Sequence, residues 1–311
     1  GAVFMAVPMM GSGILIALGD SKSASRFMAF GALVNIIIDP ILIFGWFGIT
    51  AMGIWGAALA TLISQALSTV WLYYLLSIKY RLLNFKLPDL NLLVVSWKKI
   101  AHFAIPASLT MMLMPVAAGI ITTLISKHGV EAVAAVSAAA RMEMFAFVIP
   151  MAFGMTLTPF VIQNYGGNRT DRIIDAMKSA TKFALFYGIF IALIFYICAP
   201  YLAKLFTDDI KVTEIFILYV RTISFGYGMM EVHRYCGFFL IGMNKPLYTT
   251  ILTLLRILEL LIPLSFLGNH YYEIAGIFTG RLLTDVISGT VAIIWLGLVI
   301  KSKTKPVNQF V

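Results

Sequence analysis

Apolar residues run through this chain in long blocks, broken by short clusters of charge, glycine and proline. The blocks predict nine helical spans, at about 1–18, 27–47, 51–78, 103–125, 137–163, 176–202, 212–240, 247–268 and 274–300. Stretches such as Phe183 to Tyr201 and Val286 to Ile300 carry almost no charge. A bilayer's hydrocarbon core takes about 20 such residues as a helix, and lipid leaves no open sheet edge satisfied. Alternating strand patterns are absent from the sequence, so the expected fold class is an all-α, polytopic membrane bundle.

A second pattern overlies the first. At a fixed offset of 223 residues, Gly19, Lys22, Pro40, Gly45, Gly53 and Thr61 fall on Gly242, Lys245, Pro263, Gly268, Gly276 and Thr284. The offset carries span two onto span eight, so the repeating unit is six helices and two such lobes need twelve. On that count the first lobe is incomplete by three helices. A repeat of this parallel kind places a pathway between two halves and suits alternating access. The expected organisation is a partial first lobe over 1–80 and a linker with an interfacial helix over 81–102. A second lobe over 103–300 and a tail over 301–311 follow. The linker reading rests on Pro88, Asp89, Trp97, Lys98, Lys99 and His102.

Composition sharpens this picture: 60% of the 311 residues are hydrophobic and 12% charged, about half the charged share of a soluble domain. The net charge of +9 would suggest nucleic acid if its residues were clustered. They alternate by connection instead. Lys22 and Arg26, then Lys79 to Lys99, then Arg169 and Arg172, then Lys245, then Lys301 to Lys305 occupy every second connection and the tail. The positive-inside rule makes that set cytoplasmic, the C-terminus included, in a multi-pass protein of the cell's inner membrane. No nucleic-acid partner is expected. Cys198 and Cys236 lie within apolar runs without metal-ligand spacing, so neither a disulfide nor a metal site is assigned. No nucleotide-binding loop or nucleophile constellation suggests an enzyme.

Polar residues inside the spans are the candidates for chemistry, because a carboxylate at mid-span costs about 2.5–3.5 kcal/mol and needs a partner or a wet cavity. Span two holds Asn35, Asp39 and Pro40. Asn35 and Asp39 are four apart and share a helical face. Pro40 donates no N–H to the Ile36 carbonyl and so frees another oxygen beside them. Such an oxygen set suits a proton or a hard cation such as Na⁺. The repeat supplies an internal control, since the offset turns Asn35 and Asp39 into Leu258 and Ile262 while keeping the proline. Thr61 in span three is placed to face the same site.

Span five holds Arg141 and Glu143, two apart and so on different faces; separate partners or an anchoring role are expected for them. Span seven holds Glu231, His233 and Arg234. Glu231 and Arg234 read either as a structural ion pair or as a protonatable acid with its neighbour. Arg256 and Glu259, also three apart, read as a pair facing the bundle interior, and Asp285 follows Thr284 in span nine. Of 16 methionines, Met111, Met112, Met114 and Met155 are candidates to line an adaptable substrate cavity.

The runs Leu18 to Lys22, Asn35 to Gly45 and Met52 to Thr61 resemble the fifth and sixth helices of the multidrug and toxic compound extrusion (MATE) family, and Thr158 to Gly167 resembles the end of its eighth. The resemblance extends along the whole chain, from about the family's fourth helix to its twelfth. It implies twelve helices in two lobes that open as a V and exchange a cation for an organic substrate. It also implies cation ligation by Asn35, Asp39 and Thr61, and no cofactor beyond the Na⁺ or H⁺ that drives transport. The expected function is therefore a monomeric, cation-coupled antiporter that exports amphipathic compounds and contacts membrane lipid. The alternatives are a flippase for a lipid-linked saccharide or lipid, and an uncoupled channel or receptor.

Overall fold

The computed structural model describes residues 2–83 and 89–304. Lys86, Pro88 and Lys305 lie outside these residues, and so do the side chains of residues 303 and 304. Among the described residues the chain is helical and has no strand. It divides into two compact units, Gly1–Leu90 and Asn91–Val311. Among the described residues, seven helical stretches are long and apolar enough to cross a membrane, and a shorter apolar helix precedes them.

The first unit contains α1 (Ala2–Ala17), α2 (Ser21–Phe44) and α3 (Ile54–Tyr74), which continues as one π-helical turn, Leu75–Lys79. Leu15, Ala24, Phe27, Leu72, Leu75 and Leu76 form its core. Large apolar side chains stand on its surface: Ile36, Ile54 and Trp55 are 65, 90 and 83% exposed. Helix α2 ends at Gly45, which takes a left-handed conformation (φ 76°, ψ 38°) and returns its N–H to Ile41 at 3.1 Å. The chain then folds back antiparallel, and Gly56 lies so close to α2 that an added Cβ would stand 2.5 Å from the Leu42 carbonyl oxygen.

Asp20 locks the opposite end of this hairpin. Its carboxylate accepts from the Ser23 amide at 3.0 Å and the Lys79 ammonium at 2.9 Å, and from the Tyr80 hydroxyl. Hydrogen bonding to Ser23 first, then to Tyr80 and Lys79, holds the Asp20 carboxyl well below the usual carboxylate range. The folded state therefore favours its charged form. The latch contributes fully above the ordinary value of 3.8 and fades as pH falls below it. Melting curves of the whole protein and an Asp20→Asn variant are expected to differ at pH 7, and the gap is expected to begin narrowing below pH 3.8 without closing at pH 3. A gap that stays constant would overturn this reading.

The second unit contains α4 (Leu90–Ser126), α5 (Val130–Gly166), α6 (Thr170–Lys204), α7 (Ile210–Ile223), α8 (Tyr227–Gly242), α9 (Pro246–Leu254) and α10 (Ile262–Thr304). A 3₁₀ turn joins α7 to α8, and a π-helical segment, Leu255–Leu261, joins α9 to α10. Within α10 the backbone breaks at Tyr272 and Glu273 (φ 52°, ψ −135°), which makes it two antiparallel arms. The expected interfacial helix is not separate: Trp97, Lys98, Lys99 and His102 lie on α4 itself, which passes through Pro106 without interruption. Small residues bring the helices together. Gly188 of α6 meets Gly228 of α8 backbone to backbone, and Ala132, Ala135, Ala139, Ala184, Ala192 and Ala199 are all buried. Proline in α5 is accommodated by donors from outside the helix. The Ala146 carbonyl, left without the N–H of Pro150, accepts from the Tyr187 hydroxyl at 2.9 Å, and the Pro150 carbonyl accepts from Tyr235 at 3.0 Å.

The repeat seen in the sequence is a repeat of packing. The offset carries the Leu42–Gly56 crossing to positions 265 and 279, and the observed crossing is Gly280 on the Leu264 carbonyl. Each partner is displaced by one residue in opposite directions, which preserves the antiparallel register. Gly268 and Gly276, the images of Gly45 and Gly53, touch each other at the turn.

Candidate transport sites

Asn35 and Asp39 lie on one face of α2, both half-buried. The Nδ2 of Asn35 and the Oδ1 of Asp39 are inaccessible and have no hydrogen-bond partner among the described residues. The α2–α3 register, fixed by Gly31 on Ser68 and Gly56 on Leu42, sets Asn35 level with Ser64 and Asp39 level with Ala60. Thr61 therefore falls between their two levels. Its hydroxyl donates to the Ala57 carbonyl at 3.0 Å, so the oxygen keeps both lone pairs for another partner. A buried carboxylate oxygen, an amide and an oxygen with free lone pairs at neighbouring heights are chemically suited to a proton or a monovalent cation as cargo.

Among the described residues the second unit holds three largely buried ion pairs, two of them between residues distant in sequence and one local. Glu143 is 8% exposed, whereas Arg141 on the other face of α5 is exposed. The Glu143 carboxylate accepts from the Tyr219 hydroxyl at 3.2 Å, the Tyr227 hydroxyl at 3.1 Å and the Arg281 guanidinium at 3.0 Å. Arg281 also donates to Tyr219. Glu231, 1% exposed, has Arg234 at 3.0 Å without hydrogen-bond geometry. His233, between them in sequence, approaches the Ser288 carbonyl at 3.4 Å.

The pairing of Arg256 with Glu259 is corrected. Arg256 binds the fully buried Asp285 at 2.6 Å, and Glu259 is exposed. Both residues fall in the π-helical segment, whose wider winding separates the faces of residues three apart. Arg281, Tyr219 and Tyr227 are site residues that the pattern of spans did not single out. The available signal was a lone arginine inside an apolar span, four residues before Asp285. Met114 lines two adjoining cavities in this unit, whereas Met111, Met112 and Met155 are 68, 68 and 60% exposed and line neither.

The sequence and the fold are similar to those of known proteins. An FAD transporter from Shewanella oneidensis is 31% identical over 291 residues, which are 93% of this chain and 64% of that protein. A probable multidrug resistance protein of Bacillus subtilis, YpnP, is 25% identical over 91% of this chain and 62% of its own length. The chain thus spans less than two thirds of each. Among solved structures, a mutant of the Vibrio cholerae MATE transporter VcmN superposes with a TM-score of 0.88 at 26% identity, covering 96% of this chain and 66% of that one. The MatE family model matches residues 106–267, more than half of the sequence. The chain belongs to the MatE family of polytopic helical membrane proteins.

Proposed function

We propose that this chain forms the greater part of a cation-coupled antiporter that exports amphipathic organic compounds by alternating access, driven by Na⁺ or H⁺. The observation that carries this reading is the unpartnered, buried Asp39 carboxylate oxygen on the same face as Asn35, with Thr61 between their levels. A carboxylate in such a place binds a mobile positive ion or a proton, and the two states differ in charge by one unit. Exchange between those states is what links ion entry to substrate exit. The distribution of basic connections supports a cell-membrane location with the C-terminus on the cytoplasmic side.

The test is transport by the full-length protein reconstituted into vesicles. Efflux of a fluorescent amphipathic compound is expected to follow an imposed Na⁺ or pH gradient and to stop when an ionophore dissipates it. Flux that persists without either gradient would identify an uncoupled channel instead. A second reading of the cargo comes from the Shewanella oneidensis relative, which is named for transport of the anionic dinucleotide FAD. The arginines of the second unit favour it.

A further inference from the structure

Two adjoining cavities of about 260 and 220 Å³ open within the second unit and share Met114, Met230 and Arg256. Together they fall in the range of about 300–1,000 Å³ usual for small-molecule sites. One end is largely apolar and aromatic, lined by Ile121, Ile125, Ile277, Tyr219 and Phe278 together with Arg281. The other end carries Thr110, Thr253, His233 and Arg234. Among the described residues no aspartate or glutamate lines either one.

The three arginines each have a counter-acid, and the acids lie behind them. The side chains of Asp285, Glu231 and Glu143 are 0, 2 and 11% exposed, against 12, 27 and 25% for Arg256, Arg234 and Arg281. A guanidinium has five N–H donors in a fixed fork, and one carboxylate satisfies at most two. The remaining donors include the buried Nε of Arg256, which makes no hydrogen bond among the described residues. Phe147 stacks under the Arg234 guanidinium at 5.4 Å and limits its swing. A wall that presents guanidinium groups and keeps their carboxylates behind them offers a planar, multi-donor surface to an oxyanion.

We infer that this cavity binds an organic phosphate. Arg256 and Arg234 hold its oxyanion, Thr110 and Thr253 border it, and the apolar end takes a flat ring. The inference deepens the exporter reading by naming its class of cargo, and it is tested by binding alone, so failure of ion-coupled efflux leaves it standing or falling separately.

Riboflavin, FMN and FAD share one ring system and differ in phosphate. Flavin fluorescence titrations on the whole protein in phosphatidylcholine nanodiscs are expected to show FMN and FAD binding at least about tenfold tighter than riboflavin, the effect of one good charge-assisted contact. The double variant Arg256→Gln/Asp285→Asn removes both buried charges together, which spares the fold an orphaned ion. It is expected to bring FMN within about threefold of riboflavin while riboflavin binding holds. Arg234→Gln is expected to act in the same direction. FMN binding no tighter than riboflavin, or unchanged in the double variant, would overturn the proposal. So would ethidium binding tighter than FMN. Displacement of FMN by phosphatidylglycerol added to the nanodiscs would reassign the site to a lipid headgroup and overturn it equally.

Discussion

Asp39→Asn in the full-length protein is expected to reduce gradient-driven efflux at least about tenfold while leaving the folded yield intact, a change of roughly 1.4 kcal/mol or more in the coupled step. The substitution is isosteric, and the Oδ1 that it alters has no hydrogen-bond partner to lose. What it removes is the negative charge and the site of protonation. The same change lifts the cost of holding a carboxylate in hydrocarbon, so stability is expected to be unchanged or slightly raised. Efflux at the parental rate would exclude Asp39 from the mechanism, and with it the cation site proposed for the first unit. A simultaneous loss of fold and transport would show that the carboxylate serves structure.

The second large effect belongs to stability. Arg281→Met leaves Glu143 buried with only Tyr219 and Tyr227 to solvate it, and removing one partner of a buried pair costs about 3–5 kcal/mol. A fall in melting temperature of roughly 10 °C is expected for a unit of this size. Glu143→Gln in the same molecule is expected to restore most of it, because the orphaned charge is gone. Thermal unfolding in detergent of the two single variants and the double variant measures the coupling directly. Additive losses would mean that Glu143 and Arg281 stabilise the unit independently, contrary to the geometry.

The helices were legible in the sequence for a simple reason. Hydrocarbon imposes a length of about 20 apolar residues on each crossing, and charge, glycine and proline mark where the crossing ends. What the pattern could not set was how far each helix continues past that length. Helices α4, α5 and α6 run for 37, 37 and 35 residues because the sequence flanking each crossing remains helical. The fixed offset of Gly and Pro positions also foretold a shared hairpin register, since close backbone crossings admit little else.

The candidate sites were legible unevenly. Asn35 and Asp39 are neighbours by helix geometry alone, so their common face follows from their spacing. Glu231 and Arg234 are local in the same sense. The partners of Glu143 and Arg256 lie 138 and 29 residues away and depend on packing. For Arg256 the local rule misled, because Leu255–Leu261 winds as a π-helix and the rule holds only for α geometry.

The glycine crossings have a further consequence. Where Gly56 meets Leu42, and Gly280 meets Leu264, one backbone rests directly on another, and the smallest side chain would force them apart. Each hairpin is thus shaped by missing atoms, which leaves no knob to trim or enlarge at the seam. Retuning the protein for another ion or another cargo has to proceed through its interior polar positions, while the scaffold beneath them admits a single letter.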